Sequence, residues 1–256
     1  MTARYFNLPK LSVLAASRDF HPFTKTRALL DSYKPGKEPV NLTIGEPQNQ
    51  PPAFMAEAIF EARATFNKYA PTLGSKPLLS AQIAWLKKRF DIPELDLAAE
   101  KQVVMTAGSR EGITMTLRVA VELAKARGID QPKILIPNPF YHTYAGAGLS
   151  AGGEIVAVNA EADQNFEPDF CALPDEIWSE AAAVILCSPA NPQGTVASRE
   201  GMRALVAKCR QHGTIGLFDE CYNELYRQAP PPSVLELIGS DLSQVVVTHS
   251  LSKRSS

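Results

Sequence analysis

Six short apolar runs punctuate residues 102–250: QVVMT, KILIP, EIVAV, AAVILCSP, TIGLFDE and QVVVTHS. Several are continuously apolar instead of alternating, which predicts strands covered on both faces. Between many of them lie longer stretches with helical spacing, above all GSREGITMTLRVAVELAKAR and SREGMRALVAKCRQH. Strand–helix alternation of this kind predicts an α/β fold, a mostly parallel sheet with helices on both faces. Upstream, AFMAEAIFEARATF and KPLLSAQIAWLKKRF predict two helices separated by a loop, NKYAPTLGS. The proline-rich residues before them, to about Pro52, predict irregular extended chain and turns. No internal repeat or low-complexity tract interrupts the pattern.

Several function classes are disfavoured at once. With 26 basic and 27 acidic residues, the chain has no basic excess for a polyanion, so no nucleic-acid partner is expected. Cys171, Cys187, Cys209 and Cys221 show no CxxC spacing and predict reduced thiols, not a disulfide framework. The four histidines are too scattered for a local zinc signature, and no metal is expected. No signal-peptide pattern or apolar run of spanning length is present, so the expected location is cytoplasmic, with no membrane partner.

In open α/β sheets, ligands bind beyond the carboxyl ends of the strands. Five predicted strand ends carry polar or ionisable groups: Gly108-Ser109-Arg110, Asn138-Pro139-Phe140-Tyr141, Ser188 to Gly194, Asp219 to Tyr222, and Ser250 to Lys253. Each has an ordinary explanation when taken alone. Gly108-Ser109 is a helix start, Asn191-Pro192-Gln193-Gly194 a turn, Asp219 a helix cap, Tyr141 core filler and Lys253 a solvated amine. Their convergence on one sheet edge, in this order, is what argues against those readings.

Asn191-Pro192-x-Gly194, Asp219-x-x-Tyr222 and Ser250-x-Ser252-Lys253 together resemble the class I/II aminotransferases, and the spacing between the motifs is also similar. Gly45-Glu46-Pro47 and Tyr69-x-x-x-x-Gly74 resemble that family's N-terminal pattern. The resemblance covers the whole chain. It implies a pyridoxal-phosphate fold type I architecture, a three-layer αβα large domain over residues 53–256. Residues 1–52 would form an N-terminal arm and small-domain segment. It also implies a homodimer with shared sites, an amino-acid donor and 2-oxoglutarate as substrates.

The residue types suit that cofactor. Lysine can form a Schiff base and then act as a general base, the role the resemblance gives Lys253. A carboxylate keeps the pyridine nitrogen protonated, which suits Asp219. Asn191 and Tyr222 can donate to the ionised phenolic oxygen. The helix start at Gly108, Ser109 and Arg110, with the Ser250 hydroxyl, can bind phosphate. Tyr141 resembles the aromatic that stacks on the ring, and Tyr69 the tyrosine that reaches the neighbouring subunit's phosphate. Gly45 and Asn191 are the implied substrate contacts. Cis peptides are expected at Asn138-Pro139 and Asn191-Pro192.

Two departures stand out. Arg110 occupies a position where many relatives carry a neutral polar residue. The sequence also ends three residues after Lys253, where relatives continue with a further strand, a phosphate-pairing arginine and a C-terminal domain; a truncated chain with an open sheet flank is therefore expected. The opening segment, with NLTIGEPQNQPP, most resembles bacterial succinyldiaminopimelate aminotransferases, which implies N-succinyl-LL-2,6-diaminopimelate as donor in lysine biosynthesis. Aspartate or aromatic aminotransferases, a PLP-dependent β-lyase and a non-catalytic module of the same fold are the alternatives.

Overall fold

The computed structural model describes residues 3–10, 22–38, 40, 45–47 and 49–254. The chain begins with strand β1 (Tyr5–Asn7) and helices α1 (Pro22–Leu30), α2 (Ala53–Glu61), α3 (Lys76–Phe90), α4 (Ala99–Gln102) and α5 (Ser109–Ala126). There follow β2 (Lys133–Asn138), α6 (His142–Ser150), β3 (Glu154–Asn159), α7 (Asp175–Ser179) and β4 (Ala181–Cys187). The last elements are α8 (Arg199–His212), β5 (Ile215–Asp219), α9 (Leu235–Ile238), β6 (Val245–Thr248) and a 3₁₀ turn, Leu251–Lys253.

The strands form one sheet in the order β1-β3-β2-β4-β5-β6. Only the β1–β3 pair is antiparallel; the other pairs are parallel, as strand–helix alternation predicts. Parallel neighbours need long crossovers, and the helices between them supply these while covering both faces.

Side-chain alternation splits the apolar runs of β2, β3, β4 and β5 between two cores. Ile134, Ile136, Ile155, Ala157, Ala183, Ile185 and Leu217 pack with Ile113, Leu117, Val121 and Ala124 of α5 and with Tyr144 of α6. Their neighbours Leu135, Val156, Val158, Val184, Leu186 and Phe218 pack with Met202, Leu205, Val206 and Cys209 of α8, and with Trp178. This is why the runs read as continuous: both faces are interior. Helix α6 lies close on the sheet because Gly148 lacks a side chain. A Cβ there would stand 2.5 Å from Ile155 Cδ1.

Local signals set the helix ends. Ser198 Oγ accepts from Gly201 N at 3.0 Å to open α8, and Gly213 closes it at φ 65°. Helix α3 carries Pro77 in its first turn and Lys87, Lys88 and Arg89 in its last, complementing its dipole. Both predicted cis peptides are present, and Ser188-Pro189 is a third.

Two expectations need correction. QVVMT does not form a strand. Residues 103–106 are outside any ladder, and Met105 N bonds to the loop carbonyl of Leu73 at 3.2 Å. An apolar β-branched run becomes a strand only with a partner alongside, and β6 and β1 are the edges of the described sheet. Secondly, residues before Pro52 are not all irregular, since β1 and α1 lie there. The remaining stretch of that arm, 11–21, 39, 41–44 and 48, falls outside the described residues.

Candidate active site

The parallel strands β2, β4, β5 and β6 end at one edge, and their registers align the last residues. Cys187 is level with Asp219, and Asp219 with Thr248. Asp219 is 4% exposed. Tyr144 Oη donates to its Oδ2 at 2.6 Å, while Cys221 N at 3.3 Å and Thr248 Oγ1 at 3.4 Å donate to Oδ1. These donors fix the position and orientation of the Asp219 carboxyl at the sheet edge.

Around it stand the other groups. Asn191 Nδ2 donates to Tyr222 Oη at 3.1 Å, bringing the Asn191 turn against the segment after β5. Burial, with Cys187 and Asp219 nearby, pushes the Tyr222 phenol up to about 12, so it remains a donor at neutral pH. Burial first, and then Asp219, pushes the Cys221 thiol well above its ordinary value, which keeps it unreactive.

The start of α5 is open. Gly108 adopts φ 95°, a left-handed conformation that favours glycine, and a Cβ there would meet nothing within 4 Å. The first N–H groups of α5 have no partner within the helix, and the Glu111 carboxylate lies at the same end, where it accepts from Ala107 N. The Arg110 side chain donates from Nη2 to Tyr141 Oη at 3.1 Å. Tyr141 packs edge-on to Tyr144, with ring centres 5.6 Å apart.

The last predicted group arrives by the 3₁₀ turn. Ser250 caps it, accepting from Ser252 N at 3.2 Å and pairing with Ser252 Oγ at 2.7 Å. Lys253 Nζ donates to the carbonyl of Gly45, tying the end of the chain to the N-terminal Gly45-Glu46-Pro47 segment. Tyr69 is fully exposed.

Sequence reasoning missed Tyr144 and Thr248. Tyr144 is fully buried, on a helix rich in small residues. A buried tyrosine needs a partner for its hydroxyl, and that requirement is the signal that could have found it. No helix among the described residues is long and apolar enough to cross a membrane.

Comparison with known proteins gives the family. A family model described as aminotransferase class I and II matches residues 37–256. LL-diaminopimelate aminotransferase 2 of Trichormus variabilis is 33% identical over 222 residues, covering 85% of this chain and 54% of that protein. The chain thus spans about half the length of the curated relatives it matches. The crystal structure of aminotransferase AspB from Helicobacter pylori is 34% identical with a TM-score of 0.82, over 93% of this chain and 62% of that one. A structure from Thermus thermophilus named "probable N-succinyldiaminopimelate aminotransferase" is 27% identical with a TM-score of 0.70, over 83% of this chain and 55% of that one. With the family model spanning most of its length and the sheet edge built as described, the chain belongs to the class I and II aminotransferases.

Proposed function

We propose that this chain forms the cofactor-holding part of a pyridoxal-phosphate aminotransferase that moves an amino group from an amino acid to 2-oxoglutarate. In this reading, residues 53–256 are the large domain and residues 1–52 the arm and small-domain segment. Enzymes of the class I and II family use pyridoxal 5'-phosphate. The observation that carries the reading is the buried, multiply hydrogen-bonded Asp219 at the strand edge that also bears the Asn191–Tyr222 pair.

The donor set fits the cofactor. Asp219 would hold the proton on the pyridine nitrogen, and Asn191 and Tyr222 would donate to the phenolic oxygen. The backbone N–H groups that follow Gly108, at Ser109 and Arg110, would bind the phosphate with the Ser250 hydroxyl. Bound there, pyridoxal phosphate supplies an electron sink for the substrate's α-carbon. Tyr141 would cover one face of the ring, held by Arg110. Lys253 would carry the cofactor and move the proton at the α-carbon, with Gly45 and Asn191 contacting the substrate.

The donor we favour is LL-diaminopimelate, free or N-succinylated. The free form has the support of the curated relatives' names, and the N-succinyl form that of the Thermus structure's name and the opening segment. A homodimer completes the reading. Helix α2 buries none of its residues and exposes Phe54, Ile59 and Phe60, an apolar surface suited to a second copy that brings in Tyr69.

The test is to supply the chain with pyridoxal phosphate, 2-oxoglutarate and each form of diaminopimelate. Glutamate is the expected product. In a parallel assay with cystathionine, pyruvate and ammonia without glutamate would indicate elimination instead. Sedimentation of the chain at several concentrations checks the dimer.

A further inference from the structure

Helix α3 reaches the turn that carries Tyr222 through one side chain that the proposed chemistry does not use. Arg89 stands in the last turn of α3, its side chain 12% exposed. Its Nη2 donates to the backbone carbonyl of Asn223 at 2.7 Å, and its Nε donates to Glu224 Oε1 at 2.5 Å. The guanidinium lies over the rings of Phe90 and Tyr226, 4.8 and 5.5 Å from their centres. Asn223 is also held from within the turn. It is buried, its N–H donates to Glu220 O at 3.1 Å, and its Nδ2 donates to Glu220 Oε2 at 3.0 Å. That same Oε2 lies 3.4 Å from Nε2 of His249, just after β6.

An arginine nearly out of water needs partners for its charge and its donors. A guanidinium fork that meets a carboxylate and a carbonyl at once fixes both in one geometry. Here those partners are the first and second residues after Tyr222. The other bonds of the turn, from Asn223 to Glu220 and from Leu225 N to Tyr222 O at 2.9 Å, run within residues 220–225. They set the shape of the turn, whereas Arg89 sets where it stands against α3. From Leu225 to Pro230 the chain is exposed, so burial just downstream does not take over that task. Tyr222 itself is only partly buried, and its Oη accepts from Asn191 Nδ2 at 3.1 Å. A turn released at Asn223 would carry the phenol with it, because adjacent Cα atoms stay about 3.8 Å apart.

We propose that Arg89 is a positioning residue for Tyr222: its bonds to Asn223 and Glu224 hold the phenol against Asn191. The task given to Tyr222, donation to the cofactor's phenolic oxygen, rests on the proposed function; the placement of the phenol does not. Arg89 then acts on the cofactor through Tyr222 alone. A donor at the phenolic oxygen makes that oxygen a poorer partner for the proton of the bound cofactor, so the cofactor loses this proton at lower pH. Loosening the turn weakens the donation and moves that loss to higher pH.

The chain without cofactor is measured first. The side-chain amide signals of Asn191, read by nitrogen-15 NMR, should move in Arg89→Ala toward their position in Tyr222→Phe. The Leu225 N–H should exchange with solvent roughly tenfold faster. Arg89→Lys, which keeps the charge but not the fork, should fall between, and its shift decides the matter if Arg89→Ala does not fold. Leu86→Ala, at a buried position of the same helix, should lower the melting temperature and leave the Asn191 signals in place. Pyridoxal phosphate is then added and its visible absorption titrated with pH. The midpoint should rise by about half a unit to one unit in Arg89→Ala, and no further when Arg89→Ala is added to Tyr222→Phe. Unmoved Asn191 signals, an equal movement in Leu86→Ala, or an additional rise in the double variant would overturn the proposal. Failure of the unsubstituted chain to bind the cofactor counts against the proposed function alone, and the Asn191 signals still decide the placement.

Discussion

Tyr144 donates to Asp219 at 2.6 Å, joining helix α6 to the end of β5 across 75 residues. Burial first, and then Asp219 and Cys187, holds the Tyr144 phenol well above its ordinary pKa, so the donor keeps its proton throughout the working pH range. Tyr144→Phe retains the ring and removes only this hydrogen bond. It should cost about 1–3 kcal/mol of stability, the range for a buried charged acceptor losing its partner. Urea denaturation checks this, and an unchanged midpoint would show that Asp219 is satisfied without Tyr144.

Asp219 and its neighbour separate charge from placement. Asp219→Asn removes the carboxylate proposed to hold the pyridine proton, while Glu220→Gln alters the neighbouring buried carboxyl, which the proposed chemistry does not use. Activity of the loaded enzyme should fall far more in the first variant than in the second. Comparable losses would mean that the wrong carboxylate has been assigned to the ring nitrogen.

Lys253 is the predicted attachment point. Reduction of the loaded protein with borohydride, followed by peptide mapping, should place the cofactor on this residue, and Lys253→Ala should abolish the adduct. Competing lysines are otherwise engaged: Lys133 with Glu180 and Glu154, and Lys208 with Asp175 at 2.8 Å. An adduct on either would refute the assignment.

Helix α6 offers a packing test. Gly148→Ala forces a methyl group 2.5 Å from Ile155 Cδ1 and 3.1 Å from Ile134 Cδ1. It should destabilise by about 1–3 kcal/mol, as overpacked cores do. Gly146→Ala, on the same helix with nothing within 4 Å, should be neutral or stabilise by roughly 0.4–1 kcal/mol. Thermal denaturation of the two variants should therefore shift in opposite directions or by clearly unequal amounts.

The Glu220–His249 pair gives stability a pH dependence. Burial pushes the Glu220 carboxyl up to about 8 from an ordinary 4.5, so the folded chain keeps a proton that the unfolded chain releases. That contribution is fully present below 4.5 and is lost as pH rises through about 8. His249 runs the other way: its imidazole is lowered by burial, and its contribution is lost as pH falls below 6.5. Between pH 6.5 and 8 only the carboxyl acts, so stability should decline there. The slope should flatten in Glu220→Gln; an unchanged slope would assign the decline to other groups.

Much of the fold is legible because its signals are local. KPLLSAQIAWLKKRF carries its own period and its own end signals, and α3 spans those same residues. Continuous apolar runs identify strands with two covered faces, yet QVVMT shows the limit: hydrophobicity marks a strand's capacity, and pairing depends on what lies alongside. A three-residue strand such as β1 is too short to display any period. The site divides in the same way. Asn191, Asp219 and Tyr222 stand in compact motifs, whereas Tyr144, Thr248 and His249 acquire meaning only from partners that are distant in sequence or on other elements.

The antiparallel pairing of β1 with β3 has a consequence for synthesis. Tyr5 finds its partner at Val158, about 150 residues later. At roughly 5–20 residues per second, the ribosome needs on the order of ten seconds to deliver that partner, plus the time for it to clear the exit tunnel. For that interval the first residues must wait unpaired while β2 and α5 emerge. Strand β1 thus cannot dock before β3 has been made, although it is first in the chain, and its arrival reports that β3 is already in place.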